Sequence, residues 1–159
     1  MRAPKPVQVE PRISAGQDVD GYPWPSRPAM TAIMRGNRGV DTRPEVRLRS
    51  ELHRRGLRFR KHVSIVTPGL RVRPDVVFTR QRLVVFVDGC FWHGCAEHGT
   101  KPRSNTAYWE AKLARNRARD ERVASGLSAD GWRVIRVWEH EAVGPAATSI
   151  ASALDEVSV

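Results

Sequence analysis

The residues whose types and spacing could carry out chemistry lie in one short stretch, residues 88–98, which reads DGCFWHGCAEH. A carboxylate, two thiols, two imidazoles and two large aromatic rings fall within it, a density of reactive groups that a packed core does not need. The run Leu83 to Val87 before it is apolar and mostly β-branched or aromatic, which favours a strand buried on both faces. The sequence therefore predicts a functional site directly after a buried strand.

The spacing of the thiols and imidazoles is typical of a metal site. Cys90, Cys95 and His98 supply three zinc-type ligands, and His140, just after the last predicted strand, is the candidate for the fourth. The alternative is two buried thiols and two surface histidines that bind no metal. A disulfide is disfavoured because we expect a reducing compartment. His93 is not needed for this site and is left for catalysis.

Two aspartates are predicted to converge beside this stretch. If residues 73–78 form a hairpin with the central strand, so that Phe78 lies opposite Leu83, then Asp75 and Asp88 share one face as diagonal neighbours. A single aspartate at a strand end is usually a turn or cap residue. Two carboxylates on one face favour a divalent cation held by oxygen ligands, as phosphodiester hydrolysis requires.

Glu45 belongs to the first predicted helix. The segment 42–45 reads Thr-Arg-Pro-Glu, with a cap residue, a proline in the first turn and an acid three positions after the cap, which predicts a helix running to about Arg55. Glu45 shares a face with Leu48 and Leu52 and therefore points towards the core. Two interpretations of Glu45 stay open: a capping-box residue and nothing more, or a member of the site.

A second helix, predicted over about 106–126, carries polar groups on its inward stripe. The residues of that stripe are Trp109, Leu113, Asn116, Asp120, Val123 and Leu127. Burying Asn116 and Asp120 without partners would cost roughly 1 to 3 kcal/mol each, so both are expected to have partners. Arginines at 115, 117, 119 and 122 form an outer row suited to phosphates, although most such rows are solvated surface. A strand over 131–139 and a helix over 145–156 follow.

The composition indicates a polyanionic partner. The chain has 159 residues, and 27 lysines and arginines oppose 17 acidic residues, for a formal net charge of +10. Residues 1–29 are rich in proline, glycine, serine and charge, which predicts a flexible arm before one domain over 30–159. No apolar run approaches the ~18 residues of a membrane span. We therefore expect a cytoplasmic monomer.

Together these motifs resemble the very-short-patch-repair (Vsr) DNA mismatch endonucleases. The matching segments, in the family's order from about residue 30 to 142, are Thr42-Arg43-Pro44-Glu45, Arg73-Pro74-Asp75, Gly89-Cys90-Phe91-Trp92-His93, Asn105 through Trp109, Asn116-x3-Asp120 and Gly131-Trp132-Arg133-Val134 to Trp138-Glu139. The resemblance implies an α/β fold of the restriction-endonuclease-like kind, in which helices flank a mixed central sheet, with a structural zinc site. It also implies a Mg²⁺-dependent nick 5′ to the thymine of a T:G mismatch in duplex DNA, with mismatch-repair proteins as partners.

The resemblance also implies roles for single residues. Asp75 matches the magnesium-binding aspartate, which is aided by a backbone carbonyl near Val87. His93 matches the catalytic histidine, and Asp120 matches the acid that orients it. Glu45 matches a first-helix glutamate that positions water. The predicted catalytic residues are therefore Glu45, Asp75, Asp88, His93, Asn116 and Asp120.

The predicted DNA contacts combine aromatic and basic side chains. Phe91, Trp92 and Trp109 match the aromatics that wedge into the DNA stack beside the mismatch, a mode in which new contacts offset the unstacking. The alternative is that these three rings belong to the core. The full predicted DNA-binding set is Phe91, Trp92, Lys101, Arg103, Trp109, Arg115 and Arg119.

The chain departs from the family pattern in two places. Some members have a histidine at the position of Asp88, so Asp88 is either an extra magnesium ligand or a phosphate contact. The zinc ligands Cys95, His98 and His140 differ in type or order, which a Cys2His2 site tolerates. Two rival functions stay open: a zinc-stabilised DNA-binding protein without cleavage, and a nicking endonuclease with a different DNA target.

Overall fold

A computed structural model of the chain describes residues 40–100, 103 and 105–156. The predicted arm at 1–29 and the predicted DNA contact Lys101 lie outside the described residues. The helices and strands are α1 (Arg43–Arg54), β1 (Ile65–Thr67), β2 (Leu70–Val72), β3 (Val76–Phe78), β4 (Leu83–Asp88), α2 (Thr106–Ala129), β5 (Arg133–Trp138) and α3 (Val143–Asp155). The order of elements confirms the predicted mixed α/β class.

The central sheet has three strands, with β4 in the middle. β3 and β4 are antiparallel and form the predicted hairpin, with Val76 opposite Val85 and Phe78 opposite Leu83. β4 and β5 are parallel, a pairing that needs a long crossover, and α2 lies in that connection. β1 and β2 form a separate antiparallel hairpin. The reactive stretch therefore begins at the edge of the sheet that is formed by the carboxyl ends of β4 and β5.

Both faces of the central strand are covered, as its apolar run predicts. Leu83 and Val85 face a core that also contains residues of α1 and α3, whereas Val84 faces a second core that contains Val123 and Leu127 of α2. Successive side chains of a strand point to opposite faces, so this arrangement follows from the alternation alone. The two cores therefore hold α1 and α2 on opposite faces of the sheet.

The helix α2 is longer than the sequence predicts, because it continues past Gly126 to Ala129. A Cβ atom at Gly126 would lie 3.1 Å from a methyl group of Leu70, so the glycine allows β2 to approach the helix. The chain turns instead at Gly131, whose φ of +77° is unfavourable for other residues. The predicted end of the helix at 126 was therefore wrong: this glycine serves packing. Within the described residues, no helix is both long and apolar enough to cross a membrane.

Candidate active site

The predicted site residues gather around a cleft of about 750 Å³ between the start of α1, the end of β4 and the middle of α2. The residues of the predicted site that line this cleft are Glu45, Val87, Trp92, His93, Asn116 and Arg119. Asp75 lies in an adjoining recess of about 150 Å³, and Glu45 lines both spaces. The fold thus brings together residues that are up to 74 positions apart in the chain.

His93 and Asp120 form a direct pair. The Nδ1 atom of His93 lies 2.5 Å from Oδ2 of Asp120, and both side chains are 18% exposed. An ionised carboxylate can only accept a hydrogen bond, so Nδ1 carries the proton and the Nε2 atom of a neutral ring keeps its lone pair. The pair therefore fixes one tautomer of the imidazole and leaves Nε2 able to accept a proton.

Asn116 holds the backbone of the loop that carries His93. Its side-chain amide donates to the carbonyl oxygen of Trp92 at 2.9 Å. The loop itself is closed by a bond from the His93 N–H to the carbonyl of Gly89 at 3.1 Å. The two polar residues on the inward stripe of α2 thus both have partners in the reactive stretch, which accounts for their presence there.

Asp75 is tied to the central strand by its side chain. Its Oδ2 atom accepts a hydrogen bond from the Val87 N–H at 2.7 Å. Burial raises the pKa of Asp75 to about 6, against the Val87 hydrogen bond, which lowers it, while the neighbouring Glu45 raises it further. The charged form is therefore unfavourable until a cation neutralises it. A half-buried carboxylate beside a second acid, Glu45, is a donor set that fits Mg²⁺.

Glu45 is buried and makes local contacts at the start of α1. Its carboxylate accepts hydrogen bonds from the Asp41 N–H at 2.9 Å and from the Thr42 hydroxyl at 2.7 Å. These bonds are not a capping box, because the Thr42 side chain caps no helix N–H and Glu45 accepts from the N–H of Asp41 and not from that of Thr42. Arg49, also buried, contacts Glu45 at 3.4 Å and ion-pairs with Asp41. Glu45 nevertheless lines the cleft, and its charge acts on Asp75.

We expect Asp75→Asn to stabilise the protein in Mg²⁺-free buffer at pH 7.5 by about 1 to 2 kcal/mol, a rise of a few degrees in melting temperature. The pKa of Asp75 is about 6 in the folded protein and 3.8 in the unfolded chain, so the unfolded chain loses this proton first as the pH rises. Below both pKa values the carboxyl is neutral in both states and costs the fold no stability, whereas above pH 6 the folded protein bears the full cost of the charge. The amide of the variant is never charged and avoids this cost. Melting curves at pH 4 and 7.5 test this.

The matched control for this stability test is Asp155→Asn at the exposed end of α3. Its melting temperature should equal that of the wild type at both pH values. A melting temperature of Asp75→Asn at pH 7.5 equal to or below that of the wild type would show that the Asp75 carboxylate is not held unfavourably in the fold.

Asp88 ends β4 and is only 4% exposed. Its two oxygens accept hydrogen bonds from Nε and Nη2 of Arg136 at 2.5 and 2.8 Å. The Nη2 atom of Arg136 also lies 3.2 Å from Asp120, and Nδ1 of His93 lies 3.8 Å from Asp88. Asp88 thus joins the His93 pair through an arginine that the sequence analysis did not single out.

The four predicted zinc ligands come together beside this site. One ligand atom from each of Cys90, Cys95, His98 and His140 lies within 4.8 Å of all the others. The two thiols are buried, and the Cys90 sulfur lies 3.0 Å from Nδ1 of His140. Bonds of 2.0 to 2.3 Å to a central ion would span ligand separations of roughly 3.3 to 3.8 Å, so this group could hold a metal ion after a small adjustment.

We expect one zinc ion per chain, and we expect Cys90→Ser to lose it and to melt at least about 10 °C below the wild type, because a closed four-ligand site contributes folding energy. Chelation should likewise unfold the protein rather than inhibit a folded one. Elemental analysis and thermal melting measure both effects, with the exposed His62→Ala as control. A zinc-free wild type, or a Cys90→Ser variant of full thermal stability, would refute this expectation.

The predicted aromatic residues form one cluster on the side of the cleft. The ring of Phe91 lies 5.0 Å from that of Trp92 and 5.1 Å from that of Trp109, edge to face in both pairs. Trp109 is only 3% exposed, whereas Phe91 and Trp92 are partly exposed. In this conformation Trp109 is the floor of the cluster, and Phe91 and Trp92 are the rings that can be reached. The Lys112 ammonium lies 5.9 Å from the Trp92 ring.

Of the predicted basic contacts that the structure describes, only Arg119 lines the cleft. Arg119 and Arg103 are exposed, and Arg115 is partly buried. Lys112 also lines the cleft, although the sequence analysis passed over it. The cleft lining is mixed in charge, with three basic side chains, Arg43, Lys112 and Arg119, and three acidic ones, Asp41, Glu45 and Glu139. The basic side chains and the accessible aromatic rings suit a phosphate backbone and stacked bases.

Besides Lys112, the sequence analysis missed Arg49, Arg136 and Glu139 as residues of the site. The carboxylate of Glu139 accepts a hydrogen bond from the Cys90 N–H at 2.6 Å and lines the cleft. Arg136 could have been found from the sequence, because it is a charged residue at an inward position of a strand whose other residues on that face are apolar. The sequence indication for Arg49 is weaker: it is a charged residue next to the core residue Leu48.

Comparisons with known proteins show the family to which the chain belongs. A family model described as "DNA mismatch endonuclease Vsr" matches residues 26–98. The type II nicking enzyme V.NaeI of Lentzea aerocolonigenes is 44% identical over 134 residues, which make up 84% of this chain and 81% of the relative. The chain belongs to the Vsr family.

Other Vsr-family relatives support the same placement. The type II nicking enzyme V.XorIIP of Xanthomonas oryzae is 48% identical over 113 residues, 69% of this chain and 78% of the relative. The DNA mismatch endonuclease Vsr of Escherichia coli K12 is 43% identical over 100 residues, 62% of each chain. The predicted resemblance is thus confirmed, and the chain is a Vsr-family DNA endonuclease.

Proposed function

We propose that this protein is a Mg²⁺-dependent endonuclease that nicks duplex DNA 5′ to the thymine of a T:G mismatch in very-short-patch repair. The observation that carries the proposal is that Glu45 lines two adjoining spaces. One holds His93, whose tautomer is fixed by Asp120, and the other holds Asp75, a half-buried carboxylate suited to a cation. Family membership supports the reaction class, and the roles of the single residues are part of the proposal. The mixed sheet with helices on both faces is consistent with the restriction-endonuclease-like fold.

The Asp75 carboxylate and the backbone carbonyl of Val87 would hold the magnesium ion, with Glu45 placing water beside it. Bound there, Mg²⁺ would polarise the phosphate and make a bound water more acidic. Asp75 is fixed for this purpose by its bond to the Val87 N–H. Glu45 is fixed by its bonds to the start of α1, which limits where its free lone pairs can point.

His93 would act as the general base. Its Nδ1–H is directed at Asp120, so Nε2 would take a proton from the attacking water as the water oxygen bonds to phosphorus. The P–O ester bond to the leaving deoxyribose breaks in the same displacement, and the departing oxygen takes a proton from solvent. Asp120 stays ionised and stabilises the imidazolium that forms, as the carboxylate of a catalytic triad does. Asn116 keeps the loop in place through the Trp92 carbonyl. The basic and aromatic walls of the cleft would bind the duplex and separate the bases at the mismatch.

The alternative function is that of a nicking endonuclease with a different DNA target, and the names of the relatives favour this alternative. Two of the relatives above are named as type II nicking enzymes. A DNA-binding protein without cleavage is disfavoured, because the chain retains all four of the proposed catalytic side chains, Glu45, Asp75, His93 and Asp120. The test is nicking of a panel of duplexes in which T:G, the other mismatches and fully paired DNA stand in randomised flanking sequence. Preferential nicking of T:G supports the proposal, whereas equal or faster nicking of paired DNA favours the rival.

A further inference from the structure

Four ionisable side chains form a continuous network at the end of the sheet. Arg136 of β5 bonds both oxygens of Asp88 and lies 3.2 Å from Asp120, which in turn bonds His93. The network crosses from β5 to β4, to α2 and to the reactive loop. Its members are partly or fully buried, so water screens their charges weakly.

The strand register explains how Arg136 reaches Asp88. β4 and β5 are parallel with Phe86 opposite Arg136, and the guanidinium carbon lies 5.3 Å from the Phe86 ring. Asp88 lies two residues further along β4 and therefore on the same face. The guanidinium rests against Phe86 and extends along the strand, where its planar fork matches the carboxylate.

This contact limits what Asp88 can do. A magnesium ion at Asp88 would have to displace the guanidinium or share the same two oxygens with it, and the two positive charges would repel. A 4% exposed carboxylate without the arginine would be left buried and uncompensated. Asp88 already lies 3.8 Å from Nδ1 of His93, so without the arginine a small shift would let it compete with Asp120 for the Nδ1 proton.

We propose that Arg136 is a positioning residue for His93, an inference that rests on the proposed function. Arg136 holds Asp88 away from the imidazole and keeps Asp120 as the acceptor of the Nδ1 proton. Asp88 is the counter-charge that seats the arginine and is not a magnesium ligand. The pair therefore sets where Nε2 points relative to the scissile phosphate. A misplacement of about 1 Å at such a group can cost on the order of 10²-fold in rate.

The test compares Arg136→Leu, Asp88→Asn and the double variant in single-turnover nicking with enzyme in excess. We expect Arg136→Leu to slow nicking by about 10 to 100-fold. The double variant should recover most of that loss, because it no longer holds an uncompensated carboxylate beside His93. We expect Asp88→Asn to be slower by only about 3 to 10-fold, with an unchanged concentration of Mg²⁺ for half-maximal rate. Zinc content and melting temperature show that each variant is folded.

Three results would overturn the inference. A shift of tenfold or more in the Mg²⁺ requirement of Asp88→Asn would make Asp88 a metal ligand. A wild-type rate in Arg136→Leu would remove its positioning role. A double variant as slow as Arg136→Leu would mean that the arginine acts directly and not through Asp88. If Arg136→Leu does not fold, the comparison of Asp88→Asn with the double variant decides, and their rates should agree within a few-fold.

A spectroscopic measurement separates this inference from the proposed function, because it needs no DNA. Long-range ¹H–¹⁵N spectra of the wild type should show His93 as one neutral tautomer protonated at Nδ1, with that proton strongly deshielded by the short bond to Asp120. Arg136→Leu should shift this signal, and the double variant should restore it. A signal unaffected by Arg136→Leu would refute the positioning role even if nicking is observed. The expected shift in a protein that nicks no duplex would refute only the proposed function.

Discussion

Asp75→Ala is expected to abolish nicking, by at least about 10³-fold in single-turnover rate, while DNA binding persists. The half-buried Asp75 carboxylate is the proposed magnesium ligand, and a metal ion that stabilises charge in the transition state is worth several kcal/mol. The proposed DNA contacts are the basic and aromatic side chains of the cleft, which the substitution leaves in place. Cleavage of end-labelled duplex and fluorescence anisotropy measure the two quantities.

The control for this prediction is Asp155→Asn, which removes an exposed carboxylate at the end of α3 and should nick at the wild-type rate. Binding can be compared in Ca²⁺, so that no substrate is consumed. An Asp75→Ala variant that nicks at close to the wild-type rate with Mg²⁺ would contradict the assignment of Asp75. A variant that loses both binding and nicking would point to misfolding, which its melting temperature would reveal.

His93→Ala is expected to lower the single-turnover rate by about 10² to 10⁴-fold, the usual contribution of a positioned general base. Asp120→Asn should cause a smaller loss in the same step, because its amide can still contact the ring but no longer stabilises the imidazolium. The two losses should be non-additive, since the side chains form one hydrogen-bonded unit. Rates of the two single variants and of the double variant measure the coupling.

Zinc content should be unchanged in His93→Ala, because Cys90, Cys95, His98 and His140 complete the metal group without it. His53→Ala, an exposed histidine on α1, is the matched control and should keep the wild-type rate. If His93→Ala released the zinc and unfolded the protein, His93 would be a structural ligand, and the general base would have to be another residue.

Much of the site could be predicted because its signals are local in the sequence. The apolar run before Asp88 and the turn after Phe78 specify a hairpin whose register follows from alternation, and the structure confirms that register. Cys90, Cys95 and His98 lie within nine residues, so only the remote His140 had to be inferred from the end of a strand. A polar residue on an apolar helix stripe, such as Asp120, is also visible in the pattern alone.

The remainder depended on contacts between distant elements. Arg136 is one of 27 basic residues, and its role appears only when β5 pairs with β4 and places it beside Asp88. Gly126 resembles a helix stop until Leu70, from another element, is seen to pack against it. Trp109 fits both a DNA wedge and a core residue by sequence, and only its burial distinguishes the floor of the cluster from its accessible rings.

The most direct test of the central claim is the position and metal requirement of the cut in a single duplex that carries one T:G mismatch, labelled at either end of the T strand. The zinc-loaded protein should give one nick, 5′ to the mispaired thymine, with Mg²⁺ and none with Ca²⁺, and Asp75→Ala should give no nick with either ion. The duplex should carry the flanking sequence that the randomised panel selects. A nick of equal rate without Mg²⁺, a nick retained in Asp75→Ala, or a cut elsewhere in the strand would contradict the account.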